Sequence, residues 1–301
     1  MERPILKTGI CPVCNSSNTA IFFDGLPHAL DHEAFGSSRS KLGFGRILRC
    51  AGCAFGFSET RPTEDQLKRL YSEVDMTVYE SEARGRMRTA RRHQKILQRY
   101  VSPPGRILDI GCASGRFLQA CADAGWNVVG LEPSQALCAK AAQLLPGAQI
   151  LPLTLQEADF PAASFEAVAM WDVLEHVPDP GQFLQKAASL LKLGGFLLAN
   201  VPNLDSLQAG VLRQRWPLLL PEHLNYFNRQ SLRLCGEQAG LQLIKLGSRP
   251  VSFSVRYVLH RVGQHMPSML SLARILSRTP IADWLVPVWM GELYAVWKKA
   301  R

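Results

Sequence analysis

The stretch that decides the fold is Arg106–Phe117, which reads RILDIGCASGRF. It begins as a short apolar run, as in a buried strand, continues through small residues from Gly111 to Gly115, and leads into a helical pattern. The two glycines allow the backbone to approach a ligand closely, because they carry no Cβ. The stretch therefore predicts a ligand-binding turn between a strand and a helix.

The charges around this turn narrow the choice of ligand. In a dinucleotide fingerprint a third glycine would stand where this chain has Arg116. Asp109, at the end of the strand, would repel a pyrophosphate but suits an ammonium group. The next apolar run ends at Glu132, an acid that suits the ribose of any nucleoside cofactor. The turn therefore favours a cationic nucleoside over a pyrophosphate-linked dinucleotide.

Short apolar runs alternate with helical segments on either side of this turn. This alternation predicts an α/β fold with a Rossmann-like parallel sheet covered by helices on both faces. The predicted strands are 106–110, 127–131, 149–153, 165–171 and 196–201, followed by a last strand at 291–297, and the predicted helices are 115–124, 134–145 and 180–192.

The turn resembles the first motif of the class I methyltransferases, D-x-G-x-G-x-G, with alanine at the middle glycine. Later segments resemble the adenine loop, the fourth strand and the L-K-P-G-G turn of the same family. The resemblance implies S-adenosylmethionine as cofactor. The residues implied to bind it are Asp109, Gly111, Ala113, Gly115, Glu132, Thr154, Leu155 and Asp172.

Two Cys-x-x-Cys pairs, Cys11 with Cys14 and Cys50 with Cys53, indicate a tetrahedral zinc site. Four thiolates leave no open position on the ion, so the predicted Zn²⁺ is structural. Unligated thiols or a redox pair are the alternatives. With this module the chain resembles a bacterial subgroup of zinc-ribbon-bearing methyltransferases related to ubiquinone and sugar methyltransferases.

The chain of 301 residues is long enough for an α/β domain and a smaller appendage. The predicted division is a zinc-binding module at 1–60, a helical linker at 61–105, a methyltransferase domain at 106–250, and an amphipathic lid with the last strand at 251–301. Neither an apolar run of spanning length nor an apolar signal core is found. We expect a cytoplasmic protein, alone or peripheral to the inner membrane face.

Two histidines follow predicted strands at the edge where open sheets bind ligands, and they are the candidate catalytic bases. His176 follows the fourth strand and His223 the fifth, although either residue can instead order its loop. The spacing of Asp172, Glu175 and His176 also resembles the Glu-x-x-Glu-His metal site of ubiquinone O-methyltransferases, which would hold Mg²⁺.

The acceptor is less constrained than the cofactor. The net charge is +9, and residues 245–301 hold nine cations against two acids, interleaved with apolar residues. This pattern suits an anionic or lipid-linked small-molecule acceptor, a membrane contact through 251–290, or a lid over the site. We expect O- or C-methylation of a sugar, nucleotide-linked sugar, quinone or lipid-linked precursor.

Two other functions are kept as alternatives. Residues 84–99 carry seven cations and no acid, as an RNA methyltransferase would need. The strand-four segment lacks the Asn/Asp-Pro-Pro-aromatic motif of amino-methylating base enzymes, so nucleic acid ranks below a small molecule. A sensor that binds the cofactor without turnover is the third function class.

Overall fold

The structure is a computed structural model that describes residues 9–25, 44–63, 66–67, 82–265 and 279–300. Short 3₁₀ turns lie at Arg213–Arg215 and Pro280–Asp283. The strands and helices follow in the order β1 (Thr19–Phe23), β2 (Ile47–Cys50), β3 (Gly56–Ser58), α1 (Ala83–Leu97), β4 (Arg106–Ile110), α2 (Arg116–Ala122), β5 (Asn127–Leu131), α3 (Gln135–Leu144), β6 (Gln149–Leu151), β7 (Phe165–Trp171), α4 (Pro180–Leu190), β8 (Leu191–Pro202), α5 (Leu207–Leu212), β9 (Asn225–Tyr226), α6 (Arg229–Gln238), β10 (Leu241–Gly247), β11 (Val251–Ser254), α7 (Val255–His265), β12 (Leu285–Val288) and β13 (Glu292–Lys299).

The central sheet has seven strands in the order β10-β13-β8-β7-β4-β5-β6. β13 runs antiparallel to both of its neighbours, and the other pairings are parallel, so the sheet is mixed. The chain fills the sheet outward from β4 to β6 and then returns to add β7 on the other side of β4. This reversal places a crevice between the carboxyl ends of β4 and β7, where open α/β sheets bind ligands.

The core lies on both faces of this sheet, as the apolar runs predict. Along β4, Ile107 packs into one buried cluster with α2, whereas Leu108 faces the other cluster with α4 and α6. The side chains of Ile107 and Leu108 are both completely buried. Side chains of successive strand residues point to opposite faces, so a strand covered on both sides is apolar along most of its length. The predicted Rossmann-like architecture is confirmed, but the prediction of a parallel sheet was wrong for β13, which is antiparallel to both of its neighbours.

Most predicted elements are found with small changes at their ends. The strands at 106–110, 127–131 and 165–171 are confirmed to the residue. β6 stops at Leu151 because Pro152 cannot donate a hydrogen bond to a sheet. β8 is longer than predicted, and the last strand continues to Lys299. In the predicted linker, α1 is helical, while 64–65 and 68–81 lie outside the described residues.

A second sheet joins the N-terminal segment to the rest of the protein. Its order is β1-β2-β3-β9, and β9 belongs to the segment that follows β8 along the chain. Phe44 and Ile47 share a buried cluster with Leu204, Trp216 and Tyr226. Cys11, Cys50 and Cys53 lie in the same buried cluster as Leu108 of β4, so the cysteine pairs pack against the domain of the central sheet.

The C-terminal segment adds the antiparallel pair β11–β12, helix α7 and the last strand. α1 packs on this pair, with Arg92 Nη1 donating to Ser252 Oγ at 2.8 Å and Ser254 Oγ donating to Glu82 Oε1 at 2.7 Å. Part of the predicted lid, 266–278, lies outside the described residues. Among the described helices, none combines the length and apolar character needed to cross a membrane.

Candidate active site

The turn after β4 has alternating left-handed residues. Gly111, Ala113 and Gly115 have φ values of 72°, 48° and 79°. A Cβ on Gly111 would lie 2.7 Å from Val173 Cγ2, so this position requires glycine for space as well as conformation. Ala113 adopts the left-handed region and donates its N–H to Glu132 Oε2 at 2.9 Å. The turn therefore keeps its shape with alanine at the middle position.

Two buried carboxyl groups lie beneath this turn. Asp109 is 2% exposed and its Oδ1 has no hydrogen-bond partner among the residues that the structure describes. Burial, and then the nearby charge of Glu132, raise the pKa of Asp109 well above its ordinary value. Burial also raises the pKa of Glu132 to about 7, against the opposing N–H donors of Ser134 and Ala113. Both groups would be stabilised by a ligand that brings hydrogen-bond donors or positive charge.

These features test whether the predicted cofactor fits. S-adenosylmethionine carries an ammonium group, a sulfonium and two ribose hydroxyls, which are cations and donors. The unpartnered oxygen of Asp109 and the unpartnered buried Oγ of Ser114 are suitable for such a ligand. A dinucleotide would instead bring a pyrophosphate against two buried acids. The residues present therefore fit the sulfonium nucleoside.

The predicted adenine side lies at the same edge of the sheet. Glu132 N–H donates to Leu151 O at 3.1 Å, which joins the ends of β5 and β6. Leu155 is 1% exposed, so it contributes to the wall rather than to solvent. Thr154 N–H and Oγ1 both donate to Glu157 Oε2, at 2.9 and 3.0 Å. The structure thus places Thr154 and Leu155 next to the end of the strand that carries Glu132.

On the other side of the crevice, Asp172 follows β7 in the left-handed region, with φ of 57°. Its N–H donates to Asn200 Oδ1 at 2.8 Å, and Asn200 Nδ2 donates to Asp172 Oδ1 at 2.6 Å. Asn200, on β8, was missed by sequence reasoning, although a polar residue within the apolar run 196–202 was the available signal. Glu292 of β13 was also missed, and burial followed by the charge of Asp172 raises its pKa.

The two candidate bases are neighbours. The rings of His176 and His223 lie with centroids 4.8 Å apart. Nδ1 of His176 lies 3.0 Å from Glu222 O, and Nδ1 of His223 lies 2.8 Å from Leu218 O. A carbonyl can only accept, so each Nδ1 carries the proton and each neutral ring has Nε2 as acceptor.

Burial is the main cause of the lowered pKa of both histidines. The pKa of His176 falls to about 4, and that of His223 falls well below its ordinary value, with the charge of His176 as a second cause. Both rings are therefore neutral at pH 7. Glu175 is buried beside them, and its Oε2 has no hydrogen-bond partner in the described part of the chain.

Glu175, His176 and His223 also form a group that could hold a metal, because one ligand atom of each lies within 4.8 Å of the others. The predicted Mg²⁺ set differed, since it used Asp172 where the structure brings His223 to the group. Asp172 is instead hydrogen-bonded to Asn200. Two imidazoles and one carboxylate suit a transition metal better than Mg²⁺, which prefers oxygen ligands.

The four cysteines of the two pairs form one cluster. Cys11 Sγ lies 3.6 Å from Cys53 Sγ, and Cys14 Sγ lies 3.4 Å from Cys50 Sγ. A tetrahedral ion with bonds of about 2.3 Å separates its ligands by about 3.8 Å, so these distances are close to those of a zinc site. Hydrogen bonding from Cys53 is the main cause that lowers the pKa of Cys11 to about 5.

Hydrogen bonds connect this cluster to the loop after β7, and sequence reasoning missed the residues that make them. Arg61 Nη2 donates to Pro178 O at 2.6 Å and to Asn225 Oδ1 at 2.8 Å. Asn225 Nδ2 in turn donates to Leu174 O at 2.9 Å and to Val177 O at 2.7 Å. These hydrogen bonds therefore attach the loop that carries His176 to the N-terminal segment that contains the cysteine cluster.

Comparison with known proteins agrees with this geometry. A family model described as "Methyltransferase domain" matches residues 79–246. A Mycolicibacterium smegmatis protein named as a probable S-adenosylmethionine-dependent methyltransferase is 31% identical over 155 residues, which are 51% of this chain and 59% of that protein. A ubiquinone biosynthesis O-methyltransferase of Bradyrhizobium diazoefficiens is 36% identical over 103 residues, 33% of this chain and 40% of that protein. The match therefore spans between 40% and 59% of these two relatives.

Solved structures show the fold. A chain of the complex between the Haloferax volcanii Trm112 methyltransferase activator and its methyltransferase aligns with a TM-score of 0.53 and 19% identity, covering 73% of this chain and 94% of that one. A Bacillus subtilis protein aligns with a TM-score of 0.51 and 16% identity, covering 71% and 99%. Together with the sheet order, these likenesses indicate a Rossmann-like class I methyltransferase fold.

Proposed function

Because the chain belongs to the methyltransferase-domain family and is an S-adenosylmethionine-dependent methyltransferase, we propose that it methylates an oxygen or carbon of a small-molecule acceptor at the edge between β4 and β7. The acceptor classes we propose are a sugar, a nucleotide-linked sugar, a quinone or a lipid-linked precursor. The observation that carries this proposal is the pair of buried acids under the left-handed turn, and two neutral histidines lie side by side in the segments after β7 and before β9.

Asp109 and Glu132 would hold the ammonium and ribose ends of the cofactor, with Gly111, Ala113 and Gly115 allowing its close approach. The cofactor supplies a methyl group bonded to an electrophilic sulfonium. Thr154 and Leu155 would flank the adenine, and Asp172, after β7, would contact the cofactor from the other side of the crevice. With both ends held, the enzyme mainly aligns the acceptor with the methyl group and excludes water.

The two histidines would take the proton of a hydroxyl acceptor. The acceptor oxygen forms its bond to the methyl carbon as the carbon–sulfur bond breaks, and the hydroxyl proton moves to Nε2 of His223 or His176. Glu175 lies beside the rings, and burial, followed by the charge of Asp172, raises the pKa of its carboxyl well above the ordinary value. Support for oxygen as acceptor comes from the relatives named as ubiquinone biosynthesis O-methyltransferases.

We further propose that the cysteine cluster holds structural Zn²⁺. The sulfur separations fit a tetrahedral ion, and the N-terminal segment has a small core of its own, so a bound ion would contribute to folding. Membrane contact through 251–290 remains a prediction, to which the exposed side chains of Trp284 and Trp289 contribute.

The cofactor site is tested by calorimetry with S-adenosylhomocysteine on wild type, Asp109→Asn and Asp123→Asn. Asn at 109 removes the charge that faces the ammonium group, so we expect binding roughly tenfold to a hundredfold weaker. Asp123 is exposed at the end of α2, and its variant should bind as wild type does. Equal affinity in Asp109→Asn and wild type would contradict the assignment.

The acceptor is tested by transfer of a radiolabelled methyl group into a cell extract, followed by partition into lipid, small-molecule, RNA and protein fractions. We expect label in the lipid or small-molecule fraction. Label confined to RNA would favour the alternative suggested by the cations of α1. Tight binding without any transfer would instead indicate a sensor.

A further inference from the structure

One face of α1 lines an open cleft of about 550 Å³. Positions 84, 87, 88 and 91 are three and four residues apart and so share one face of the helix. The opposite wall comes from the start of α2 and the start of β12. The side chains that line the cleft include Arg84, Met87, Arg88, Arg91, Arg116 and Leu285.

The cleft is strongly cationic. Four of its lining residues are arginines, and none of those that the structure assigns to it is acidic. Glu82, the nearest acid in sequence, accepts from Ser254 instead. Burial, followed by the charges of Arg88 and Arg249, lowers the pKa of Arg92 on the same helix. Four arginines line the cleft itself, and because like charges repel one another, an anion bound there would relieve that repulsion.

The cleft opens beside the reaction site. Arg116 directly follows Gly115 of the cofactor turn. Farther along α1, the ring of His93 stacks on Trp171, the last residue of β7, with centroids 3.7 Å apart. α1 therefore bridges the carboxyl ends of β4 and β7, the crevice in which the acceptor must meet the cofactor.

We propose that this cleft binds a phosphate or diphosphate group of the methyl acceptor. The inference rests on the proposed function and narrows its substrate class to phosphorylated small molecules, which excludes an unmodified quinone. Guanidinium groups bind phosphate oxygens in pairs of parallel hydrogen bonds, so four of them match a diphosphate. The cofactor carries a single carboxylate, whereas the cleft is lined by four guanidinium groups.

The test uses full-length protein saturated with S-adenosylhomocysteine, so that the cofactor carboxylate is already in place. Inorganic pyrophosphate is titrated into this complex by calorimetry. We expect binding that weakens with added salt. The variant Arg88→Gln/Arg91→Gln should bind pyrophosphate about tenfold more weakly or worse. The control Lys95→Gln/Arg99→Gln loses the same charge from exposed positions that do not line the cleft, and it should match wild type.

The outcomes separate this inference from the proposed function. If the wild-type protein does not bind S-adenosylhomocysteine, the proposed function itself is refuted. Intact binding with no response to pyrophosphate, or an equal loss in both double variants, would overturn the cleft assignment alone. A single-stranded RNA oligomer that binds at least tenfold more tightly than pyrophosphate, through the same arginines, would also overturn it.

The same assay distinguishes two sources of the diphosphate. Uridine diphosphate and farnesyl diphosphate share the charged group but differ in the part that extends from it. Tighter binding of the first supports a nucleotide-linked acceptor, and tighter binding of the second supports a lipid-linked acceptor. If binding of the preferred diphosphate is lost in Arg88→Gln/Arg91→Gln, either preference supports the cleft as the diphosphate site.

Discussion

Replacement of Glu132 by glutamine should remove a pH dependence of cofactor affinity. Glu132 is 6% exposed, and burial raises its pKa from the usual 4.5 to about 7. The ribose hydroxyls of the cofactor are donors, so the complex requires the ionised carboxylate. Because the free protein holds a proton here below pH 7, binding must release it, and affinity should rise with pH up to about 7 and then level off.

The size of the effect follows from the shifted pKa. With a pKa of about 7, roughly a tenth of Glu132 is ionised at pH 6 and about nine tenths at pH 8, so S-adenosylhomocysteine should bind about tenfold more tightly at pH 8. The same shift makes the free protein less stable as pH rises from about 4.5 to 7, since the folded state binds the proton more tightly than the unfolded state.

Calorimetry at pH 6, 7 and 8, in two buffers of different ionisation enthalpy, measures both the affinity and the protons released. Asp109 adds to the pH dependence of both proteins, and because the charge of Glu132 also raises the pKa of Asp109, the difference between wild type and Glu132→Gln measures Glu132 together with this coupling. Glu237→Gln, at an exposed position on α6, is the matched control. A flat wild-type profile, or the same tenfold rise in Glu132→Gln, would refute the reasoning.

Three further substitutions test the rest of the site. Cys50→Ser should release the proposed zinc and lower the Tm by about 10 °C, measured by metal analysis and thermal unfolding. His223→Asn should lower kcat for a hydroxyl acceptor about a hundredfold without changing the affinity for S-adenosylhomocysteine, because it removes only the proton acceptor. Gly111→Ala should weaken that affinity at least about tenfold, since its Cβ would press on Val173 2.7 Å away and strain a φ of 72°.

Each of these variants has a control in the same chain. Cys138→Ala changes a buried cysteine outside the cluster and should keep the zinc. His260→Asn changes an exposed histidine and should keep kcat. Gly147→Ala imposes the same kind of backbone strain, at φ of 87° with no atom within 4 Å, and should cost stability without weakening the cofactor. An equal effect in variant and control would contradict the corresponding assignment.

The cofactor half of the site could be predicted because its signals are local. β4, the small residues after it and α2 follow one another along the chain, so Asp109 and Gly111 could be placed from spacing alone. Glu132 required only one further step, since the end of the next parallel strand lies at the same edge of the sheet. Periodicity of two or of 3.6 residues was sufficient for these elements.

The acceptor half depends on contacts between distant segments, which spacing does not show. Asn200 meets Asp172 only because β8 lies beside β7. The sequence put Asp172 next to Glu175 and His176 through helical spacing, whereas the turn after β7 sends it to Asn200 and brings His223 from the segment before β9. No pattern within either segment predicts that pairing.

The cysteine cluster is also positioned by contacts between segments that are distant in sequence. These contacts indicate how the proposed zinc would act. Asn228 Nδ2 donates to Ala54 O at 3.1 Å, and β3 pairs with β9, so the second cysteine pair is attached to the segment that carries His223. Arg61 attaches the loop that carries His176, because its Nη2 donates to the carbonyl oxygen of Pro178, two residues after His176. By contrast, the turn at Gly111 is held by hydrogen bonds from Gly111 N–H and Cys112 N–H to Leu131 O. We therefore expect that loosening the cluster, as in Cys50→Ser, would disturb the alignment of the two histidines before it weakens the binding of S-adenosylhomocysteine.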